Sequence, residues 1–151
     1  MAGTIHQRPC LHGYYQPTAP DSASDGTCPS CAAGEFCSEE GLEATGGTCA
    51  AGYICELGSF LERPAIEIDA AQNPAVRDTS DSHSYGLCPR GKYCTAGTTT
   101  GTACADGKYQ NSLGAIDSTF CLACPRGKYC ASAANGLAVP TGDCQAGFYC
   151  D

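Results

Sequence analysis

The sequence predicts a string of small disulfide-rich repeats, an elongated rod of short β-ribbons and turns with almost no helix and no single hydrophobic core. Three observations carry this. A Cys-x-x-Gly phrase recurs along the chain, and the seven copies read here as repeats start at Cys10, Cys31, Cys49, Cys88, Cys104, Cys124 and Cys144; repetition at this density marks a modular array rather than one catalytic centre. Fourteen of 151 residues are Cys, about 9%, where disulfide scaffolds begin, and the number is even. Leu, Ile, Val and Phe together number 19, below the roughly 20% share that a packed core needs.

Within the phrase, each position has a physical reading. The fourth residue is always Gly: Gly13, Gly34, Gly52, Gly91, Gly107, Gly127 and Gly147. That points to a positive φ or a close backbone approach at a tight turn. The sixth is aromatic in Tyr15, Phe36, Tyr93, Tyr109, Tyr129 and Tyr149, and Ile54 in the third copy. A short strand carrying a ring over a disulfide is the expectation, because rings bring large buried area to a module without a core. Elsewhere Gly, Pro, Ser, Thr and Asp recur too often for a 3.6-residue period to survive.

The seventh position bears on the pairing. Five copies close with Cys37, Cys55, Cys94, Cys130 and Cys150, while two end in Gln16 and Gln110 and are followed by an extra Cys, Cys28 and Cys121. This bookkeeping favours Cys10–Cys28, Cys31–Cys37, Cys49–Cys55, Cys88–Cys94, Cys104–Cys121, Cys124–Cys130 and Cys144–Cys150. A crossed scheme stays open: Cys31–Cys49 with Cys37–Cys55, and Cys124–Cys144 with Cys130–Cys150. Each local bridge requires the Gly turn to bring two Cα atoms within about 4.4–6.8 Å.

A longer repeat contains the short one. The Cys positions of residues 10–55 recur in residues 104–150 at an offset of 93 to 95. The chain divides into a first cysteine-rich module at 10–55, a cysteine-free insert at 56–87, and a second cysteine-rich stretch at 88–150. The insert alternates apolar and acidic residues over Ala65-Ile66-Glu67-Ile68-Asp69, a weak strand signature. An insert of this length in a tightly spaced array is a functional excursion or a tolerated one. Phe60, Leu61, Ile66 and Ile68 are its candidate assembly anchors, by strand addition to a neighbour.

Charge and targeting narrow the partners. The net charge of −8 disfavours nucleic acid. Residues 1–87 hold 12 acidic and 3 basic residues, and residues 88–151 hold 4 and 5. That asymmetry can steer head-to-tail association, or can be ordinary solvated surface. Residues 1–9 contain no apolar h-region, so the expectation is a processed chain or a piece of a longer array. No run reaches the roughly 18 apolar residues of a membrane helix, so no membrane insertion is expected within this chain. The cysteines place it outside the cell or at the cell surface.

Several motifs that could carry chemistry have plainer readings. Cys28-Pro-Ser-Cys31 and Cys121-Leu-Ala-Cys124 have CxxC spacing, but no βαβ pattern surrounds them, and His6, His12 and His83 lie at no ligand spacing. Asp21 and Asp25, or Glu39, Glu40 and Glu43, do not follow calcium-loop spacing. No Gly-x-Ser-x-Gly elbow is present. No catalytic residue, cofactor or metal is therefore expected. Asn73, Asn111 and Asn135 fail the N-x-Ser/Thr rule. Thr18 and the cluster Thr98, Thr99, Thr100 and Thr102 suit O-linked glycans, with plain surface threonine the alternative.

Cys-Pro-Arg-Gly-Lys-Tyr-Cys at residues 88–94 and 124–130, Cys-Ala-Asp-Gly-Lys-Tyr from Cys104, and Cys121-Leu-Ala-Cys124 resemble the ephrin-receptor-like cysteine-rich repeat. They are more distantly similar to tumour-necrosis-factor-receptor modules. The resemblance covers residues 10–55 and 88–150 but not the insert. It implies an elongated disulfide-laddered rod, of the kind arrayed in large protist and algal surface proteins and in the flagellar hairs called mastigonemes. It also implies that the first Cys pairs some 15 residues on, matching Cys10–Cys28 and Cys104–Cys121. The closing Cys at the seventh position departs from the receptor pattern. The resulting expectation is a non-enzymatic, self-associating structural segment of an extracellular fibre or surface assembly. The alternative is an ectodomain module that binds a protein or carbohydrate.

Overall fold

The computed structural model describes residues 8–17, 27–64, 86–131 and 134–150. Among them the fold is disulfide-rich turns and two-residue strands, without an α-helix. β1 (Glu35–Phe36) pairs with β2 (Gly47–Thr48), β3 (Tyr53–Ile54) with β4 (Gly86–Leu87), and β5 (Lys92–Tyr93) with β6 (Thr102–Ala103). β7 (Lys108–Tyr109) pairs with β8 (Leu122–Ala123), and β9 (Lys128–Tyr129) with β10 (Gly142–Asp143), all antiparallel. A single bridge, Tyr14 to Ser30, takes the same place at the first motif.

One rule generates every pair. The fifth and sixth residues of a motif pair with the two residues that precede the next motif's first Cys. The main chain locks that register twice. The first-Cys N–H of Cys31, Cys49, Cys88, Cys104, Cys124 and Cys144 donates to the preceding motif's glycine carbonyl at 2.8–3.0 Å. In return Gly13, Gly34, Gly52 and Gly91 donate to the seventh-position carbonyls of Cys37, Cys55, Cys94 and Gln110 at 2.8–3.0 Å. These bonds join sequential neighbours, so the stack is quasi-one-dimensional.

The glycines explain why the stack closes so tightly. All seven motif glycines have positive φ, between 74° and 90°, as the fixed spacing predicts. Gly52 also approaches another backbone: a Cβ there would stand 2.7 Å from the Gly114 carbonyl oxygen. Gly114 belongs to a second glycine series, Gly41, Gly58, Gly97, Gly114 and Gly136, each following a seventh position by three to six residues and each at φ between 72° and 78°. The first four donate N–H to the carbonyls of Cys10, Cys31, Cys49 and Cys88 at 2.8–2.9 Å. The facing pairs Gly13 with Gly58, Gly34 with Gly97, Gly52 with Gly114 and Gly91 with Gly136 join each motif to the one two steps on.

All fourteen cysteines are bonded, as Cys10–Cys28, Cys31–Cys37, Cys49–Cys55, Cys88–Cys94, Cys104–Cys121, Cys124–Cys130 and Cys144–Cys150. Their Cα separations of 5.7–6.2 Å lie within the normal disulfide range. The bridges are also the interior: Cys31, Cys37, Cys49, Cys55, Cys88 and Cys94 are at most 1% exposed. Ile54 packs with Cys88 and Cys94 in the one apolar cluster of buried described residues. This accounts for the third copy's departure, an aliphatic side chain standing where the others carry a ring.

Two of the rings cover glycine. Phe36 stands opposite Gly47 and Tyr129 opposite Gly142 in the strand register. A Cβ on Gly142 would lie 3.0 Å from the Tyr129 ring. The ring spreads over bare backbone across the pair, a packing that the expected ring-on-disulfide arrangement did not include.

The ladder passes through the insert. Tyr53 opposes Leu87 and Ile54 opposes Gly86, so residues 55 and 88 belong to adjacent rungs and the insert leaves and rejoins one strand pair. Its described parts are 56–64 and 86–87; the alternating stretch with Ile66 and Ile68 lies outside the described residues.

Candidate interaction surfaces

The start of the insert is held by backbone and displays side chains. Cys37 N–H donates to the Ser59 carbonyl at 2.9 Å, and Ala50 N–H to the Glu62 carbonyl at 3.0 Å. Pinned at both points, the segment turns Phe60 outward at 52% exposure and Leu61 at 43%. With Leu57, Gly58 and Pro64 they line an open groove of about 240 Å³. The His12 ring lies 6.5 Å from that of Phe60, its Nδ1 2.9 Å from the Ser38 carbonyl and its Nε2 3.7 Å from Glu40. Two of the four expected anchors, Phe60 and Leu61, thus share one apolar patch; Ile66 and Ile68 fall outside the described residues.

The threonine cluster spans the loop between β5 and β6 and the first residue of β6, Thr102. Thr99, Thr100 and Thr102 are exposed and Thr98 is half-buried, with its hydroxyl 3.0 Å from that of Thr95. Thr18 lies outside the described residues. Among the described residues, no three His, Cys, Asp or Glu side chains gather as a metal site, and no helix is long and apolar enough to cross a membrane.

Charge follows the ladder. Lys92, Lys108 and Lys128 occupy the fifth position of consecutive motifs. Lys128 Nζ donates to Asp143 at 2.7 Å across the β9–β10 pair, and this bond with the ammonium charge holds the Asp143 carboxyl below the usual aspartate range. Asp117, which caps the 3₁₀ turn Ser118–Phe120, is also lowered, by hydrogen bonds from the Thr119 hydroxyl and N–H.

The rings of the seventh motif are exposed. Phe148 is 73% exposed and Tyr149 87%, and among the described residues no strand pairs with them. Gly147, with φ of +90°, has nothing within 4 Å of where a Cβ would stand. Sequence reasoning missed the second glycine series. The recurrence of Gly soon after five of the seven seventh positions was the available signal. No family model matches the chain, and no curated protein matches it.

Proposed function

We propose that this chain is a non-enzymatic structural segment of an extracellular fibre or cell-surface assembly, stapled by disulfides and self-associating. The observation that carries the reading is the one-dimensional hydrogen-bonded ladder with disulfides for a core. Such a stack resists reduction-free unfolding, extends by repetition and needs an oxidising compartment to hold its bridges. The Phe60–Leu61 patch is a contact in that assembly, and Thr99, Thr100 and Thr102 are exposed acceptors for O-linked glycans. Electron microscopy of native, non-reduced material tests the reading, and regular fibres with this chain as the repeating unit are the expected result. Phe60→Ser with Leu61→Ser should weaken assembly while leaving all seven bridges intact. Fibres unchanged by that pair would remove the patch from the contact. A monomer that binds a protein or glycan saturably at one to one, and never polymerises, would replace the proposal with a ligand-binding ectodomain, for which the same groove is the candidate site.

A further inference from the structure

We propose that Asn135 is a self-modification site: the Gly136 amide nitrogen cyclises onto the Asn135 side chain, and the succinimide so formed opens to isoaspartate, which loosens the contact between the turn after the sixth motif and the fourth motif. The proposal needs only the folded chain and stands independently of the structural reading above.

The chain has three asparagines, and each is followed by a different kind of backbone nitrogen. Asn73 precedes Pro74, which has no N–H. Asn111 precedes Ser112, whose N–H is held at 2.7 Å by Oε1 of the wholly buried Gln110. Asn135 precedes Gly136 in an exposed turn. Among the described residues, neither the Gly136 N–H nor the Asn135 side-chain amide has a hydrogen-bond partner. Gly136 also brings no side chain to crowd the attack.

That free N–H is a departure from the ladder. Gly41, Gly58, Gly97 and Gly114 donate to the carbonyls of Cys10, Cys31, Cys49 and Cys88 at 2.8–2.9 Å. Continuing the series, Gly136 would donate to Cys104. Those four glycines follow their seventh position by three or four residues, whereas Gly136 follows Cys130 by six. The longer turn carries the Gly136 N–H out of that bond. The register recovers at the next residue: Gln110 N–H donates to the Leu137 carbonyl at 2.8 Å, as Cys94 N–H does to Ala115 at 2.9 Å. Gly136 itself packs on the fourth motif, where a Cβ on Gly91 would stand 2.9 Å from its carbonyl carbon. Asn135 therefore lies immediately before the backbone that joins the fourth and sixth motifs.

The chemistry balances with water alone. Solvent base removes the Gly136 amide proton, the nitrogen bonds to Asn135 Cγ, and the side-chain nitrogen takes up a proton and leaves as ammonia. Water then adds to either succinimide carbonyl and opens the ring to aspartate or isoaspartate; nothing is oxidised or reduced. Isoaspartate routes the main chain through the former side chain, adding one methylene before Gly136. A backbone lengthened there moves Leu137 out of register with Gln110.

The test ages the full oxidised chain at neutral and at mildly acidic pH, then reduces it and maps the peptides by mass spectrometry. Isoaspartate is identified by isoaspartyl methyltransferase labelling. Conversion at residue 135, faster at neutral pH, with residue 111 unchanged, is expected. Asn135→Gln, which would have to close a larger ring, should abolish it. In the aged chain the Gln110 amide hydrogen should exchange about tenfold faster, the weight of its one bond to Leu137. Asn135→Asp adds the same charge without the methylene and should leave that rate unchanged. No conversion at 135 in the folded chain, or equal conversion at 111 and 135, overturns the site. Isoaspartate at 135 with an unchanged Gln110 rate, or equal acceleration in the Asn135→Asp chain, overturns the loosening.

Discussion

Gly52 and Gly107 hold the same position in the phrase and face different surroundings. Both have positive φ, +84° and +74°, yet a Cβ on Gly52 meets the Gly114 carbonyl at 2.7 Å while one on Gly107 meets nothing within 4 Å. Alanine at Gly107 bears only the left-handed backbone cost, about 1–2 kcal/mol. Alanine at Gly52 adds a backbone collision that must push the turn of a motif two steps away. Gly52→Ala should therefore lower the thermal midpoint, with disulfides intact, by clearly more than Gly107→Ala. Equal shifts in calorimetry would mean that the close approach carries no weight. The motif glycines were legible because their spacing never changes. Their partners at Gly41, Gly58, Gly97, Gly114 and Gly136 were not, because the spacing from each seventh position varies and the contact skips a motif. Gln110 gives the same lesson. Its place as a substitute for Cys was visible, but not that it is wholly buried with its amide bonded to Ser112 through Oε1 at 2.7 Å and Nε2 at 2.9 Å, which satisfies a polar group in the interior.

Two elements make a controlled comparison, because residues 88–94 and 124–130 are the same seven residues. Both bridges span a sequence separation of 6, so loop closure contributes equally to each, about 2 kcal/mol. Their surroundings differ: Cys88 and Cys94 are fully buried against Ile54, whereas Cys124 and Cys130 are half-exposed. Changing both cysteines to serine should then cost more at the first bridge, by about 1–3 kcal/mol for hydroxyls left in an apolar cluster. Denaturant unfolding with the other six bridges oxidised would read this, and matching losses would show that the disulfides act only as tethers. The scarcity of large apolar residues made the disulfide-rich, strand-and-turn class legible from composition. Which bridges form the interior was not, since identical heptapeptides are buried or open according to the neighbours stacked on them.

Across the whole molecule, protection should fall along the stack. Gly13, Gly34, Gly52 and Gly91 donate their N–H to the following motif, while among the described residues Gly107, Gly127 and Gly147 have no such backbone bond. Burial changes in step, from 0% exposure at Cys31, Cys49 and Cys88 to 8% at Cys104 and half-exposure at Cys124 and Cys144. In a one-dimensional stack each motif draws stability from its neighbours, so a motif covered on both sides opens less often than one covered on a single side. Amide hydrogen exchange on the dilute, oxidised chain should accordingly find Gly52 and Gly91 slowest and Gly127 and Gly147 near the unprotected rate. The disulfides themselves do not produce that gradient, because every motif carries at least one bridged cysteine and a covalent loop does not shield an N–H from water. Uniform protection from Gly13 to Gly147 would require a cooperative core that spans all seven motifs, and the sequential bonding described above would then not be what holds the molecule together.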